Sequence, residues 1–348
     1  MNTWTRSGDD GMPFVVAEIS GNHNGSLEQA LRIVEAVAQA GAHAVKIQTY
    51  TADTITLDVD SPAFRVSTGH ALWGDRTLYG LYEEAHTPWE WHEPIFAAAR
   101  AAGLVAFSTP FDETAVDFLE SLDAPLYKIA SLEIVDLPLI RAVSRTGKPV
   151  IISTGTATLA EVGAAVEAAR EGGCEDLTLL VCTSSYPASP DEANLRRIPA
   201  LADAFGVKVG LSDHTLGLGV AVAASALGAT MIEKHVTMSR SGGGVDSAFS
   251  MEPAELRALI EACDQAVRAL GSPSAWSTTS EGESLRLRPS LYVTKDVRAG
   301  DRVSLDTVRS VRPSGGLAPD LITTIMGRTF RHDASAGTPV QWDLFTAD

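Results

Sequence analysis

Eight short apolar runs recur through the first 270 residues, each followed after a turn by a segment with helical spacing of its apolar positions. The runs fall at 14–19, 44–48, 104–108, 126–130, 149–153, 177–182, 207–211 and 230–235, and the segments at 26–40, 88–102, 113–122, 136–146, 158–171, 194–204, 217–227 and 252–270. In the first segment Leu27, Ala30, Leu31, Val34 and Val37 share one face, Ser26 is placed to cap the start and Gly41 to stop the end. Runs that are apolar on both faces suit strands of a buried parallel sheet. Eight such units in succession predict a (β/α)8 TIM barrel. A doubly wound open sheet is the competing architecture, but it does not naturally use eight regular units. Nor does a G-x-G-x-x-G turn open the first helix.

Two regions break the alternation. Residues 49–86 form a long, weakly periodic excursion rich in Thr, Asp and Gly, of the kind that serves as a functional loop or lid. Residues 271–288 mix Ser, Thr, Pro and Glu without periodicity and are expected to link two domains. Residues 289–348 then carry short β-like runs at 290–293 and 307–311 among turn residues, which predicts a small, mainly β module. The expected division is a barrel over 1–270, a linker over 271–288 and a small domain over 289–348.

Composition narrows the function without naming it. With 27 basic against 44 acidic residues the formal net charge is −17, which argues against a general nucleic-acid or anionic-membrane binder. An anionic substrate would therefore need a local concentration of cations. Three widely spaced cysteines imply no disulfide framework. Neither a secretory leader nor an 18-residue apolar run is visible, so the cytoplasm is the expected compartment.

The chemistry concentrates where a barrel keeps it, at the carboxyl ends of the strands. The runs GLSDHT at 210–215 and IEKH at 232–235 each end by presenting a histidine, His214 and His235. Adjacent parallel strands lie roughly 4.8 Å apart, so the two rings could converge on one ion. The competing reading is a pair of unrelated, hydrogen-bonded strand-end histidines. Polar groups also mark the other strand ends: Glu18, Lys46, Thr109, Lys128, Ser131, Ser153, Ser184, Tyr186, Ser212 and Glu233. Each serine or threonine alone could be a helix N-cap, and Lys46 could be a snorkelling stem. Lys234 should point away from Glu233 and His235 by the period of two. Lys128, inside the apolar run LYKIA, is harder to dismiss, because a buried unpaired cation is costly. Together the hydroxyls and cations suit a phosphate or carboxylate ligand. Three classes fit: a Schiff-base aldolase with a nucleophilic lysine, a metal-assisted enzyme using the two histidines, and a non-catalytic anion or sugar binder.

The runs AEISGNHNG at 17–25, VKIQ at 45–48, FSTPF at 107–111, YKIAS at 127–131, ISTG at 152–155, CTSSYP at 182–187, and the two histidine motifs resemble the sialic acid synthases. Residues 289–348 resemble that family's C-terminal antifreeze-like (SAF) domain. GGVDSAFS at 243–250 and QTYTAD at 48–53 look most like the pseudaminic acid synthase branch. The N-acetylneuraminate branch usually has Gly-Pro-Asp-His at the first of these, and an Asn where this chain has Ser184.

The resemblance implies a condensation of phosphoenolpyruvate with an open-chain amino-sugar aldehyde, giving a nine-carbon 2-keto acid and phosphate. It implies that His214 and His235 hold a divalent metal, Mn2+ or else Mg2+ or Co2+. Thr109, Lys128, Ser131, Ser153 and Ser212 would hold the phosphate, and Lys46 would lie near the carboxylate. Glu18 is implied as a proton-transfer candidate, Glu233 as an orienting group, and Ser184, Tyr186 and Asp246 as sugar-facing. It further implies a domain-swapped homodimer in which Arg312 of one chain reaches the partner's active site. The sugar implied is 2,4-diacetamido-2,4,6-trideoxy-L-altrose and the product pseudaminic acid. N-acetylneuraminate or legionaminate formation on a manno-configured sugar is the alternative within the same chemistry.

Overall fold

A computed structural model describes residues 11–67, 72–276 and 278–346. Eight parallel strands close into a barrel in sequence order: β1 Phe14–Glu18, β2 Ala44–Thr49, β3 Val105–Pro110, β4 Tyr127–Ile129, β5 Val150–Ser153, β6 Leu177–Cys182, β7 Lys208–Asp213 and β8 Met231–His235. Closure is made by β1 against β8, with Phe14 opposite Met231 and Glu18 opposite His235. The expected TIM barrel is therefore the observed one. The helices Leu27–Ala40, His92–Ala101, Glu113–Ser121, Leu137–Ser144, Leu159–Glu171, Arg197–Phe205, Gly219–Ala226 and Pro253–Leu270 follow the strands in turn.

Local chemistry sets the helix ends. The Ser26 hydroxyl accepts from the Gln29 N–H, and Gly41 ends that helix with φ 94°. Thr158 and Glu161 form a reciprocal capping box. The segment expected to be helical from 88 instead makes a 3-10 turn at Trp89–Trp91 and becomes α-helical at His92. Pro88 is extended (ψ 135°), so the chain enters this helix late.

Two apolar layers fill the barrel unit. The larger lies between strands and helices and includes Val15, Ala17, Val45, Ile47, Ile129, Ile152 and Leu211. The smaller fills the barrel's interior with Phe14, Val16, Ala44, Phe107, Leu126, Ile151, Leu180 and Met231. Both sets follow the period of two along each strand. On the inward face the apolar residue comes early and a polar one follows two places later: Val16 then Glu18, Ala44 then Lys46, Phe107 then Thr109, Leu126 then Lys128, Ile151 then Ser153, and Met231 then Glu233. The barrel is thus greasy at its amino end and polar at its carboxyl end.

Residues 49–86 are more ordered than their pattern suggests. They contain a single turn at Ala52–Ile55, a 3-10 turn at Pro62–Phe64 and a helix at Leu78–Ala85, whose Leu81 is buried. Part of that excursion, 68–71, lies outside the described residues.

From Gly271 onward the chain forms a second compact unit. The strands β9 Ser290–Val293 and β10 Val308–Val311 pair antiparallel, and Leu291, Val293, Val303, Val308, Ile325, Phe330 and Val340 form a separate small core. Among the described residues no helix is long and apolar enough to cross a membrane.

Candidate active site

The polar carboxyl end of the barrel opens on a cavity of about 370 Å³. Of the residues singled out from the sequence, Lys46, Lys128, Ser131, Ser153, Tyr186, Ser212, His214, Glu233 and His235 line it. Thr109 and Glu18 sit behind Lys46. The Lys46 ammonium donates to Thr109 Oγ1 (3.2 Å) and pairs with Glu18 Oε2 at 2.5 Å, while Gln48 donates to Glu18 Oε1 (3.1 Å). Glu233 accepts from the Ser212 hydroxyl (2.9 Å) and lies 3.8 Å from both Lys46 and Lys128. Asp246 lines an adjoining cavity and accepts from the Ser20 hydroxyl. Ser184 lies outside both linings, with its hydroxyl about where a side chain on Gly155 would stand. Arg312 is exposed on the second unit.

Two lysines and two carboxylates buried together must settle their charges among themselves. Burial works to raise Glu18; Lys46 opposes it and the Glu233 charge reinforces it, and the carboxyl ends above its ordinary value. Burial works the same way on Glu233, but Lys128, Lys46, the Ser212 hydroxyl and His214 outweigh it and hold that carboxyl low. The pair is thus separated into a carboxyl that retains a proton more readily and one that stays ionised. Burial also holds the Lys128 amine below its usual value, although Glu233 pulls the other way.

The two histidines stand with ring centroids 5.2 Å apart. Tyr186 packs on His214 at 4.5 Å, and Phe249 packs on His235 at 5.1 Å and on Tyr186 at 5.1 Å, which fixes both rings. His214 Nδ1 lies 3.0 Å from the Thr183 carbonyl, which only accepts, so the neutral ring protonates there and leaves Nε2 with a lone pair. His235 Nδ1 is buried with no partner. Burial, together with the positive charge of His214 and Lys46, holds the His235 imidazole well below its ordinary value and hence neutral. Two fixed imidazoles fit a divalent ion: His235 is held neutral, and His214, which is raised against its burial by Cys182, the Thr183 carbonyl and Glu233, would bind the ion in its neutral form through Nε2. Among the described residues no group of three or more His, Cys, Asp or Glu side chains is arranged to hold a metal, so the rest of a coordination shell would come from water or substrate.

The carboxylates adjacent in sequence do not orient these rings. Asp213 is taken by the buried Lys234 (2.9 Å) and by Thr215, on the outer face of the strand. Lys234 points away from the mouth, as the period of two requires.

Several lining residues had no signal of their own in the sequence. Tyr50, Tyr82, Phe111, Glu133 and Cys182 all face the cavity, the last with its sulfur 3.8 Å from His214 Nδ1. Phe249 belongs to GGVDSAFS and Cys182 to CTSSYP, so the motifs contained them although the strand pattern did not single them out. Tyr82 comes from the helix within the excursion.

The NeuB family profile matches residues 33–275 and the SAF domain profile residues 288–346. The chain is 42% identical, over 324 residues, to the pseudaminic acid synthase of Campylobacter jejuni, covering 93% of this chain and 94% of that one. It is 36% identical to the N,N'-diacetyllegionaminic acid synthase of Legionella pneumophila, covering 96% and 95%. The crystal structure of the N-acetylneuraminic acid (sialic acid) synthetase of Leptospira borgpetersenii superposes with a TM-score of 0.69 at 30% identity, covering 79% of this chain and 91% of that one. With its closed barrel, its polar mouth and these relatives, the chain belongs to the NeuB family and is an enzyme of the synthase type.

Proposed function

We propose that the chain condenses phosphoenolpyruvate with 2,4-diacetamido-2,4,6-trideoxy-L-altrose, giving pseudaminic acid and phosphate. The observation that carries this reading is the grouping of two lysines and three serine hydroxyls beside two histidines in one buried cavity. The Ser153 hydroxyl is buried without a partner, and the Lys128 ammonium meets only the Ile129 carbonyl at 3.2 Å and Glu233 at 3.8 Å. A phosphate would satisfy both, and in a protein of net charge −17 such a focus is what draws an anion in. The sugar is assigned from the relatives: identity is higher to the pseudaminic acid synthase than to the legionaminic acid one.

In this reading Lys128, Ser131, Ser153 and Ser212 hold the phosphate, and Lys46, steadied by Thr109, faces the carboxylate. Carbon 3 of phosphoenolpyruvate forms the new bond to the aldehyde carbon, whose oxygen takes up a proton. Water adds at carbon 2, and phosphate leaves with the electron pair of its bond to that carbon. His214 and His235 would hold a divalent ion, proposed as Mn2+ with Mg2+ or Co2+ as alternatives, which would polarise the aldehyde oxygen as a Lewis acid. Glu18, raised by burial behind Lys46, is the candidate for proton transfer to the reacting groups. Glu233, kept ionised, orients Lys46, Lys128 and Ser212 around the reacting carbons. Tyr186 and Asp246 face the sugar, with Ser184 behind the cavity wall. We further propose a domain-swapped homodimer that places Arg312 in the partner's site, and a cytoplasmic setting in keeping with three free cysteines. Residues 271–288 would serve as the link between the two domains.

One observation favours a second reading: a buried lysine with a lowered amine pKa is what a Schiff-base aldolase uses, and Lys128 is such a lysine. A sugar panel separates the readings. With phosphoenolpyruvate and Mn2+, phosphate release on the L-altrose derivative alone, abolished by chelator, is the expected result. Turnover on a manno-configured amino sugar would reassign the substrate to N-acetylneuraminate or legionaminate synthesis. Chelator-resistant turnover with a borohydride-trapped lysine adduct would replace the mechanism, and binding of phosphoenolpyruvate without phosphate release from any sugar would leave a binder.

A further inference from the structure

Beyond the histidines the active-site cavity continues into a second chamber of about 340 Å³, the two sharing Gln48, Tyr50, Tyr82, Leu132, Tyr186 and His235. Past those shared residues the walls change character. Val66, Trp73, Leu78, Leu81 and Val245 supply apolar surface, and among the described residues the polar groups there are Ser20 and Asp246. These two already hold each other: the Ser20 hydroxyl donates to the Asp246 carboxylate, which the Gly21 N–H also reaches at 3.4 Å.

The chamber is a built feature. The Trp73 indole N–H donates to the Val245 carbonyl (2.8 Å), and its ring lies 5.6 Å from that of Tyr186. Asn24 donates to the Gly243 carbonyl (2.9 Å), and the Ser247 hydroxyl reaches both that carbonyl (2.7 Å) and Asn22 Oδ1 (3.1 Å). Gly244 lets the loop pass Asn24 closely: its φ is 129°, and a Cβ there would stand 2.2 Å from Asn24 Oδ1. The loop that carries Val245 is thereby locked over the chamber.

We propose that this apolar chamber receives the methyl-bearing distal end of the amino sugar, so that Val66, Trp73, Leu78, Leu81 and Val245 select a 6-deoxy sugar over its 6-hydroxy counterpart. The inference rests on the amino-sugar reading above. With the aldehyde end at the histidines, the far end of an open-chain hexose points along the continuous cavity. A hydroxyl that lands on the wall of Val66, Trp73, Leu78, Leu81 and Val245 gives up its water without a partner there, and the Ser20 proton is already given to Asp246. A methyl leaves water for an apolar wall, which is favourable. A hydrophobic pocket facing an added hydroxyl discriminates by at most roughly a hundredfold, so a preference in the range of about 10- to 100-fold is expected.

The test uses two sugars alike except at carbon 6: 2,4-diacetamido-2,4,6-trideoxy-L-altrose and its 6-hydroxy analogue. Val245→Thr is nearly isosteric and adds one hydroxyl to the wall, and Leu78→Gln adds an amide. For the wild type, kcat/KM should favour the deoxy sugar by about tenfold or more. In each variant that preference should fall at least about fivefold through the KM for the sugar, with the KM for phosphoenolpyruvate unchanged. Calorimetric titration of either sugar into the protein without phosphoenolpyruvate should reproduce the ratio independently of turnover. If the wild type uses the deoxy sugar but neither variant moves the preference, the chamber assignment is overturned while the functional reading stands. If the wild type uses and binds only fully hydroxylated N-acetyl sugars, both fall.

Discussion

At the scale of single residues, the site depends on a position that has no side chain. Gly155 follows β5, and its N–H donates to the Ser131 hydroxyl (3.2 Å), aiming that hydroxyl's own proton toward the cavity. A Cβ at Gly155 would lie 2.6 Å from Ser131 Oγ and 2.3 Å from Ser184 Oγ. Its φ is not in the left-handed region, so the requirement is space rather than conformation. The two hydroxyls are the ends of short side chains that can rotate away, and the Ser131 Cβ, at 3.0 Å, needs to give only a few tenths of an ångström, so the fold should survive a methyl there. What would be lost is the aim of the two hydroxyls. Gly155→Ala is therefore expected to raise the KM for phosphoenolpyruvate by about ten- to a hundredfold, the equivalent of one hydrogen bond to a charged group. Steady-state kinetics with circular dichroism and melting would check it. An unchanged KM would mean that Ser131 does not touch the phosphate.

At the scale of elements, legibility followed periodicity. The inward residues of each strand obey a period of two, so Glu18, Lys46, Thr109, Lys128, Ser153, Ser212 and Glu233 could be placed at the barrel's carboxyl end from spacing alone. Phe249, Trp73 and Tyr82 could not, because their positions are set by long-range contacts: Phe249 by the two histidine rings, Trp73 by the Val245 carbonyl, Tyr82 by its T-shaped contact with Tyr50. The helix Leu78–Ala85 leaves little periodic signal for a similar reason, being short and presenting one buried residue, Leu81. His92 is another element-scale contact invisible in the pattern. At the start of its helix it donates from Nδ1 to the Pro88 carbonyl (3.2 Å) and meets Thr49 Oγ1 of β2 (2.8 Å), which in turn meets Ser108 of β3 (2.6 Å). The ring is fully buried, and burial lowers its pKa from 6.5 to about 4. Between those values the unfolded chain binds a proton that the folded one refuses, so stability falls as pH falls. The loss attributable to His92 is about 2 kcal/mol by pH 5 and levels off near 3 kcal/mol below pH 4. Urea titrations at pH 7 and pH 5 should show that His92→Gln, though less stable at pH 7, loses less on acidification than the wild type. Parallel losses would show that the imidazole is not the titrating group.

At the scale of the whole molecule, the barrel mouth carries exposed apolar side chains. Leu132 and Val135 after β4, Leu159 at the start of the helix after β5 and Leu216 after β7 are all exposed in the segments that follow the strands' carboxyl ends. A second copy of the chain is the cover proposed here, and Arg312 on its small unit the charge it would bring. The exchange of a small domain between two copies has a consequence that a cis arrangement lacks, because each active site then draws on two chains. Arg312→Ala should lose most activity while its barrel stays intact. Lys128→Ala should lose activity while its small unit stays intact. Co-expressed and randomly assorted, the two variants should recover about a quarter of wild-type activity, since half the dimers would be mixed and each would own one complete site. Size-exclusion chromatography would confirm the dimer, and differential tags would isolate the mixed species. If Arg312 acted on its own barrel, every site in the mixture would lack either Arg312 or Lys128, and no activity would return. Complementation therefore reads the architecture directly, whatever sugar the enzyme uses.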